Sequence, residues 1–213
     1  MTEPQVTELM VRGMVVGVFQ ENCWVIGNRR TGEAICIDPG DQPQDILAMA
    51  REMGVKIKAI ANSHAHVDHI LGVGDIKNET GAKFLMHRDE AAIAAQAVAD
   101  PPTPDYHPED GDIVEVEGVK LTVIHTPGHT PGSLSYYTDG MLFSGDTLFA
   151  GSIGRTDLPG GDYEQEMASI IDKLLVLPDE TRVLPGHMQE TRIDAEKQTN
   201  PFVRQEMERR RGA

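Results

Sequence analysis

Short apolar runs rich in β-branched residues alternate along this chain with stretches whose apolar positions recur every three to four residues. Residues 14–19, 23–26 and 34–37 are of the first kind. They are broken by Gln20-Glu21-Asn22 and by Asn28-Arg29-Arg30-Thr31-Gly32, which predicts an opening antiparallel meander. Asp38-Pro39-Gly40 ends the last of these strands, and Pro43 starts a helix whose apolar positions Ile46, Leu47, Ala50 and Met53 hold the 3.6 period as far as Gly54. A buried strand at 57–61 runs straight into Ser63-His64-Ala65-His66-Val67-Asp68-His69. A helix at 70–77, a strand at 83–86 and an Ala-rich helix at 89–98 follow. The stretch 100–111 carries four prolines and reads as a loop, because strand patterns resume directly after it. Strands are then predicted at 113–116, 121–124, 134–137, 141–143 and 182–184, with helices at 163–175 and at the charged C-terminus. Two runs of strands, each followed by helices, predict two packed sheets flanked by helices in one domain spanning residues 1–213.

Charge narrows the partners. The 213 residues carry 34 Asp and Glu against 19 Lys and Arg, a net −15. Such a surface disfavours a nucleic-acid grip and a polybasic hold on an anionic membrane, both of which rest on Lys and Arg. The N-terminal sequence shows no basic-then-apolar leader and no run approaches a membrane span, so a cytoplasmic protein is expected. The two cysteines, Cys23 and Cys36, lie in apolar strand-like runs and read as buried reduced thiols.

The chemistry concentrates in histidine. His64, His66 and His69 fall within six residues, with Asp68 among them. On an extended segment His64 and His66 share a face, while Asp68 and His69 lie further round the turn. Three imidazoles packed together repel when protonated and lack partners when buried, whereas a metal ion satisfies all of them. His129 sits in the rigid turn Thr126-Pro127-Gly128-His129-Thr130-Pro131-Gly132, Asp146 closes the strand Phe143-Ser144-Gly145, and His187 follows Pro185-Gly186. Seven imidazole or carboxylate groups without a thiolate suit zinc first, with Fe(II) and Mn(II) also admissible. Two such cations sharing a bridging water lower its pKa to about 7 and supply a hydroxide nucleophile.

The H-x-H-x-D-H string, the later His129, the Gly-Asp at Asp146 and the final Gly-His at His187 together resemble the metallo-β-lactamase superfamily, and within it the short glyoxalase II-like (hydroxyacylglutathione hydrolase-like) enzymes. The segments Gly154-Arg155-Thr156-Asp157 and Gln198-Thr199-Asn200-Pro201-Phe202 add to the likeness. The resemblance implies an αβ/βα sandwich with a metal site along the edge between the sheets. It implies one zinc on His64, His66 and His129, a second on Asp68, His69 and His187, and Asp146 bridging, with Asp68 also aiming the hydroxide. Metallo-β-lactamases proper usually replace one of the second-site ligands, so His69 and Asp146 point away from antibiotic hydrolysis. Only 26 residues follow His187, too few for the helical glutathione-binding domain of longer relatives. Glutathione specificity is thereby left open while thioester hydrolysis remains the expected reaction.

The main rival is a persulfide dioxygenase with a single iron on His64, His129 and Asp146; a lactonase and a non-catalytic metal-binding protein rank below it. Arg155 is a candidate for a substrate carboxylate or for an ion pair with Asp157 or Asp162, and Phe149 and Tyr163 for lining the pocket or packing the core. His125 reads as a supporting residue, and His87 and His107 as surface or loop residues.

Overall fold

The computed structural model describes residues 8–212, so the first seven residues of the stretch read for a leader lie outside it. In chain order the strands are β1 (Leu9–Val16), β2 (Glu21–Asn28), β3 (Glu33–Ile37), β4 (Lys56–Ala61), β5 (Lys83–Leu85), β6 (Ile113–Val116), β7 (Val119–His125), β8 (Leu134–Thr138), β9 (Met141–Gly145), β10 (Leu148–Phe149), β11 (Ser152–Ile153), β12 (Arg182–Pro185) and β13 (Thr191–Arg192). The helices are α1 (Pro43–Glu52), α2 (Val67–Ile70), α3 (Val73–Thr80), α4 (Ala91–Ala97), α5 (Tyr163–Ala168), α6 (Ile193–Thr199) and α7 (Pro201–Gly212).

One sheet has the order β1-β2-β3-β4-β5 and the other β13-β12-β9-β8-β7-β6. Each begins as an antiparallel meander and then adds a parallel strand after a helical crossover: β4 beside β3, and β12 beside β9. Alternation on β2 shows why the sheets stack. Cys23 and Val25 point outward to α1 and α3, where they join Ile46, Met49, Val73 and Ile76. Trp24 and Ile26 point inward and meet Leu121, Tyr136, Phe143 and Leu184 of the second sheet. A strand buried on both faces requires a continuous apolar run, and β2 is buried along its whole length. On the far side Leu142 and Val183 pack beneath Met167, Ile170, Leu174 and Val203 of the second helical layer. The result is the expected four-layer αβ/βα sandwich. The two cysteine sulfurs lie 3.6 Å apart, buried and unbonded.

Four boundaries differ from the sequence reading. The first strand ends at Val16; Gly17 takes φ +64° and Gln20 φ +57°, so Val18 and Phe19 form an exposed hairpin tip instead of continuing the strand. The helix expected at 70–77 is two helices, α2 and α3, parted at Leu71-Gly72, where the Gly72 amide donates to Pro39 O at 2.9 Å. The helix at 163–175 begins as α5 and continues as a π-helical stretch, Ser169–Leu174. The two-residue strands β10, β11 and β13 were not anticipated, since so short a segment carries no periodicity. No helix among the described residues is long and apolar enough to cross a membrane.

Candidate metal centre

The ends of β4, β7, β9 and β12 meet at one edge of the sandwich, and each delivers part of a single cluster. After β4, Asn62 staples the loop by donating from Nδ2 to the carbonyls of His64 (3.3 Å) and His69 (2.8 Å). Asp38, at the end of β3, accepts from the Ser63 amide and the Ser63 hydroxyl, both at 2.6 Å. With its proton committed to Asp38, the Ser63 oxygen accepts from His64 Nδ1 at 2.9 Å, which leaves the lone pair of His64 Nε2 facing the cluster. The Arg155 carbonyl, which only accepts, fixes His129 in the same way by taking its Nδ1–H at 2.7 Å.

Three ring nitrogens then crowd one point. His66 Nδ1 lies 3.0 Å from His64 Nε2 and 2.9 Å from His129 Nε2. One shared proton cannot satisfy three nitrogens, two of which present bare lone pairs, whereas a divalent cation accepts from all three. Burial, reinforced by neighbouring imidazoles, holds His64 well below the usual histidine range and His66 down to about 4. Burial lowers His129 as well. These imidazoles are therefore neutral at pH 7, the state that metal binding requires.

Asp146 stands beside this trio and reaches a second one. Its Oδ2 is 3.7 Å from His129 Nε2 and 3.6 Å from His187 Nε2, and its Oδ1 is 3.5 Å from His69 Nε2. His187 Nε2 lies 3.2 Å from Asp68 Oδ2. Burial alone raises the Asp146 carboxyl, but the neighbouring imidazoles, His69 foremost, outweigh it and pull the group far below the ordinary carboxylate range. Burial likewise works against a charged His69, and the carboxylates of Asp146 and Asp38 override it and raise the imidazole. Nε2 of His69 and Oδ1 of Asp146 are buried without a hydrogen bond, while His69 Nδ1 faces Asp38 Oδ2 at 3.2 Å. Such orphans are expensive in a protein interior and are accounted for by a cation. His64, His66 and His129, and separately Asp68, His69 and His187, each bring one ligand atom per residue within 4.8 Å of the others. The donor set and its orphaned atoms fit a metal.

Backbone shape protects the same space. A Cβ on Gly186 would lie 2.4 Å from Asp146 Oδ1 and 2.8 Å from His69 Cε1, inside the cluster. Gly128 has φ +145°, and a Cβ there would strike the Glu166 backbone at 2.2 Å. Only glycine permits either close approach.

Behind the cluster stand residues that the motif reading did not single out. Glu90 accepts from the amides of Ala65 (2.8 Å) and Gly132 (2.9 Å), tying the first histidine loop to the loop that carries His129. Glu166 accepts from the His129 amide at 2.7 Å; burial, with the charge of Asp146, pushes its carboxyl up to about 9. Glu21 is fully buried with both carboxyl oxygens unpartnered, and burial raises it well above the normal range. A signal existed for Glu166: it shares with Met167, Ile170 and Leu174 the stripe that faces the core. Glu90 precedes buried Ala94 by one helical turn in the same manner.

A cavity of about 510 Å³ opens onto the cluster. His66, Asp68, His129, Asp146 and His187 form its floor, while Phe19, Phe149, Ile153, Leu158 and Met188 supply most of its walls. Phe149 thus lines it as expected, its ring centroid 6.3 Å from that of His187. Arg155 reaches the rim, where its guanidinium makes two 2.8 Å bonds to Asp157. Tyr163 does not line the cavity; it is the first residue of α5 and stands partly exposed. His87 corrects a second expectation: it is buried, stacked on His125 at 4.5 Å with the rings 13° from parallel. His107 is exposed, as expected of a loop residue.

Comparison with known proteins supports the same reading. The chain is 34% identical over 202 residues to hydroxyacylglutathione hydrolase GloC of Haemophilus influenzae, covering 88% of this chain and 95% of that one. Among solved structures, the BLEG-1 B3 metallo-β-lactamase superposes with a TM-score of 0.84 at 34% identity over 91% of this chain and 99% of its own. TTHA1623 in a di-iron-bound form gives 0.80 at 35%, covering 90% and 99%. ETHE1 from Myxococcus xanthus gives 0.82 at 32%, covering 91% and 84%. Residues 16–187 match the model of the metallo-β-lactamase superfamily, and the chain belongs to that family.

Proposed function

We propose that this protein is a metal-dependent hydrolase of small thioesters, with hydroxyacyl thioesters of the S-lactoylglutathione type as the first substrates to test. The observation that carries the reading is the convergence of seven imidazole and carboxylate groups, with orphaned buried atoms, at one cluster that opens through five of them onto a cavity. The 34% likeness to GloC supports the choice of thioesters among the superfamily's substrates. Two divalent cations bound here would supply Lewis acidity and a hydroxide nucleophile at neutral pH.

The chain's own residues divide the remaining work. His64, His66 and His129 would hold one cation and Asp68, His69 and His187 the other, with Asp146, whose Oδ2 is nearly equidistant from His129 and His187, standing between the two trios. Asp68 has a second role. It lies at the cavity floor and accepts a hydrogen bond that aims the attacking water. Water adds to the carbonyl carbon, the C–S bond breaks, and the products are a carboxylate and a thiol with release of one proton. The thiol's pKa near 8.5 makes it a competent leaving group without an acid from the protein. Zinc is the first choice for this donor set, and the likeness to TTHA1623, solved in a di-iron-bound form, supports iron as the alternative to test.

A second reading, persulfide oxidation at one iron held by His64, His129 and Asp146, draws on the likeness to ETHE1. Metal content measured together with a panel of thioesters, lactones and β-lactams, and with oxygen uptake on glutathione persulfide, separates the two. Hydrolysis by protein carrying two metals per chain is the expected result. One tightly held iron with oxygen consumption and no hydrolysis overturns it. The likeness to BLEG-1 is the reason β-lactams belong in the panel.

A further inference from the structure

A second cleft adjoins the cavity. It has a volume of about 410 Å³ and lies between α4, which contributes Ile93, Gln96 and Ala97, and the segment Leu158-Pro159. His66, Val67 and Leu158 line both spaces, so the cleft leads directly off the cluster floor. Among the described residues its polar side chains are His66 and Gln96, and none of the residues lining it is Asp, Glu, Lys or Arg. The cavity on the other side differs: Arg155 and Ser152 stand there among the apolar walls.

We infer that the cleft along α4 is the acyl subsite and that the substrate's acyl arm is an uncharged aliphatic or aromatic chain; this rests on the thioester hydrolase reading. A thioester carbonyl at the cluster has two arms, and from the shared residues His66, Val67 and Leu158 one space extends to Ser152 and Arg155 and the other to Ile93, Gln96 and Ala97 of α4. A carboxylate or ammonium in the α4 cleft would lose hydration with no partner to replace it, whereas methylene groups gain by leaving water. The charged side chain outside the cluster, Arg155, and the Ser152 hydroxyl line the main cavity, which assigns a polar thiol arm to that side. Val67, at the boundary, is the first residue of the helix that carries Asp68 and His69, so a chain entering the cleft passes the cluster within one turn of it.

The test uses metal-loaded protein and thioesters of the uncharged thiol N-acetylcysteamine with acetyl, butyryl, hexanoyl and octanoyl chains. Expected is a rise in kcat/KM of about twofold to fourfold per added methylene until the cleft is filled. Any gain in a series of acetyl thioesters with lengthening alkyl thiols comes from the apolar walls of the main cavity and should be unchanged in Ala97→Glu, whereas the acyl slope is not. Ala97→Glu should flatten the acyl slope; Gln96→Glu, at an exposed position, provides a second charge at the cleft that does not burden folding. A flat acyl series with clear hydrolysis, or a slope that follows the thiol instead, overturns the subsite and leaves the hydrolase reading standing. Ketone analogues in which methylene replaces sulfur provide a readout independent of turnover. If no thioester is cleaved but ketone affinity, by calorimetry, rises with acyl length and falls in Ala97→Glu, the hydrolase reading fails and the subsite stands.

Discussion

His129, on the floor of the cavity, and His64, buried just behind it, are 3% and 1% exposed, and each has its outer nitrogen tied to a partner that fixes which lone pair faces inward. Phe19 and Met188, on the walls of the same cavity, are 60% and 52% exposed and sit on residues or beside residues in left-handed backbone turns. The floor is specified twice over, by its side chains and by a backing of buried carboxylates. Phe19 and Met188 have no such backing, whereas Glu196 and Asn200 tie the hairpin that carries Phe149 and Ile153. Chemistry that depends on ångström placement belongs to the floor, and tolerance for different substrates belongs to the walls.

The largest effects should therefore come from the floor. Asp68→Asn and His129→Ala are expected to lower thioester turnover at least about a hundredfold while circular dichroism shows an unchanged fold. Near wild-type rates in either purified variant, with metal content measured on the same sample, would remove these residues from the site.

The backing comes next. Glu90→Ala leaves the buried amides of Ala65 and Gly132 without an acceptor, at roughly 1–3 kcal/mol each. It should lower the denaturation midpoint and weaken metal binding about 10- to 100-fold in a chelator competition. Stability and metal affinity both unchanged would show that the two ligand loops hold their positions without it. Gly186→Ala sharpens the distinction from the opposite direction, because its methyl would intrude on Asp146 and His69 without removing any hydrogen bond. Metal affinity is expected to fall by about tenfold or more there, with a smaller change in stability. Full occupancy at wild-type affinity would mean that the cluster can shift to make room.

The difference between floor and walls also explains what could be read from the sequence. His64, His66, Asp68 and His69 fall in one short string, and His129, Asp146 and His187 each follow a strand pattern closed by glycine, so local spacing was enough to gather them. The sandwich was legible for a related reason: β2 needs apolar residues on both faces, and Cys23 to Ile26 supply them. Glu90 and Glu166 were passed over because a glutamate at the start of a helix ordinarily faces solvent. What buries them is the approach of a loop distant in sequence, 42 residues on for Gly132 and 37 back for His129. His87 was read as a surface residue for the same reason, since its stacking partner His125 lies on another element. Val18 and Phe19 extend an apolar run and so read as strand; the left-handed turn that turns them outward is set by Gly17 and Gln20, whose conformations composition does not announce.

The smallest effect is expected at the walls. Phe19→Ser alters an exposed hairpin tip, for which a stability change within about 0.5 kcal/mol is typical. Its ring borders the cavity away from the histidine loops, and no catalytic group leans on it, so kcat should remain within about twofold of wild type. KM should rise a few-fold for substrates with bulky apolar thiols, which lose a contact worth part of the ring's burial. The measurement is a pair of Michaelis curves, one with a bulky thiol and one with a small thiol, on protein of equal metal content. If kcat instead falls with the severity of Asp68→Asn, the hairpin tip is part of the machinery, and the division between a fixed floor and a permissive wall does not hold at Phe19.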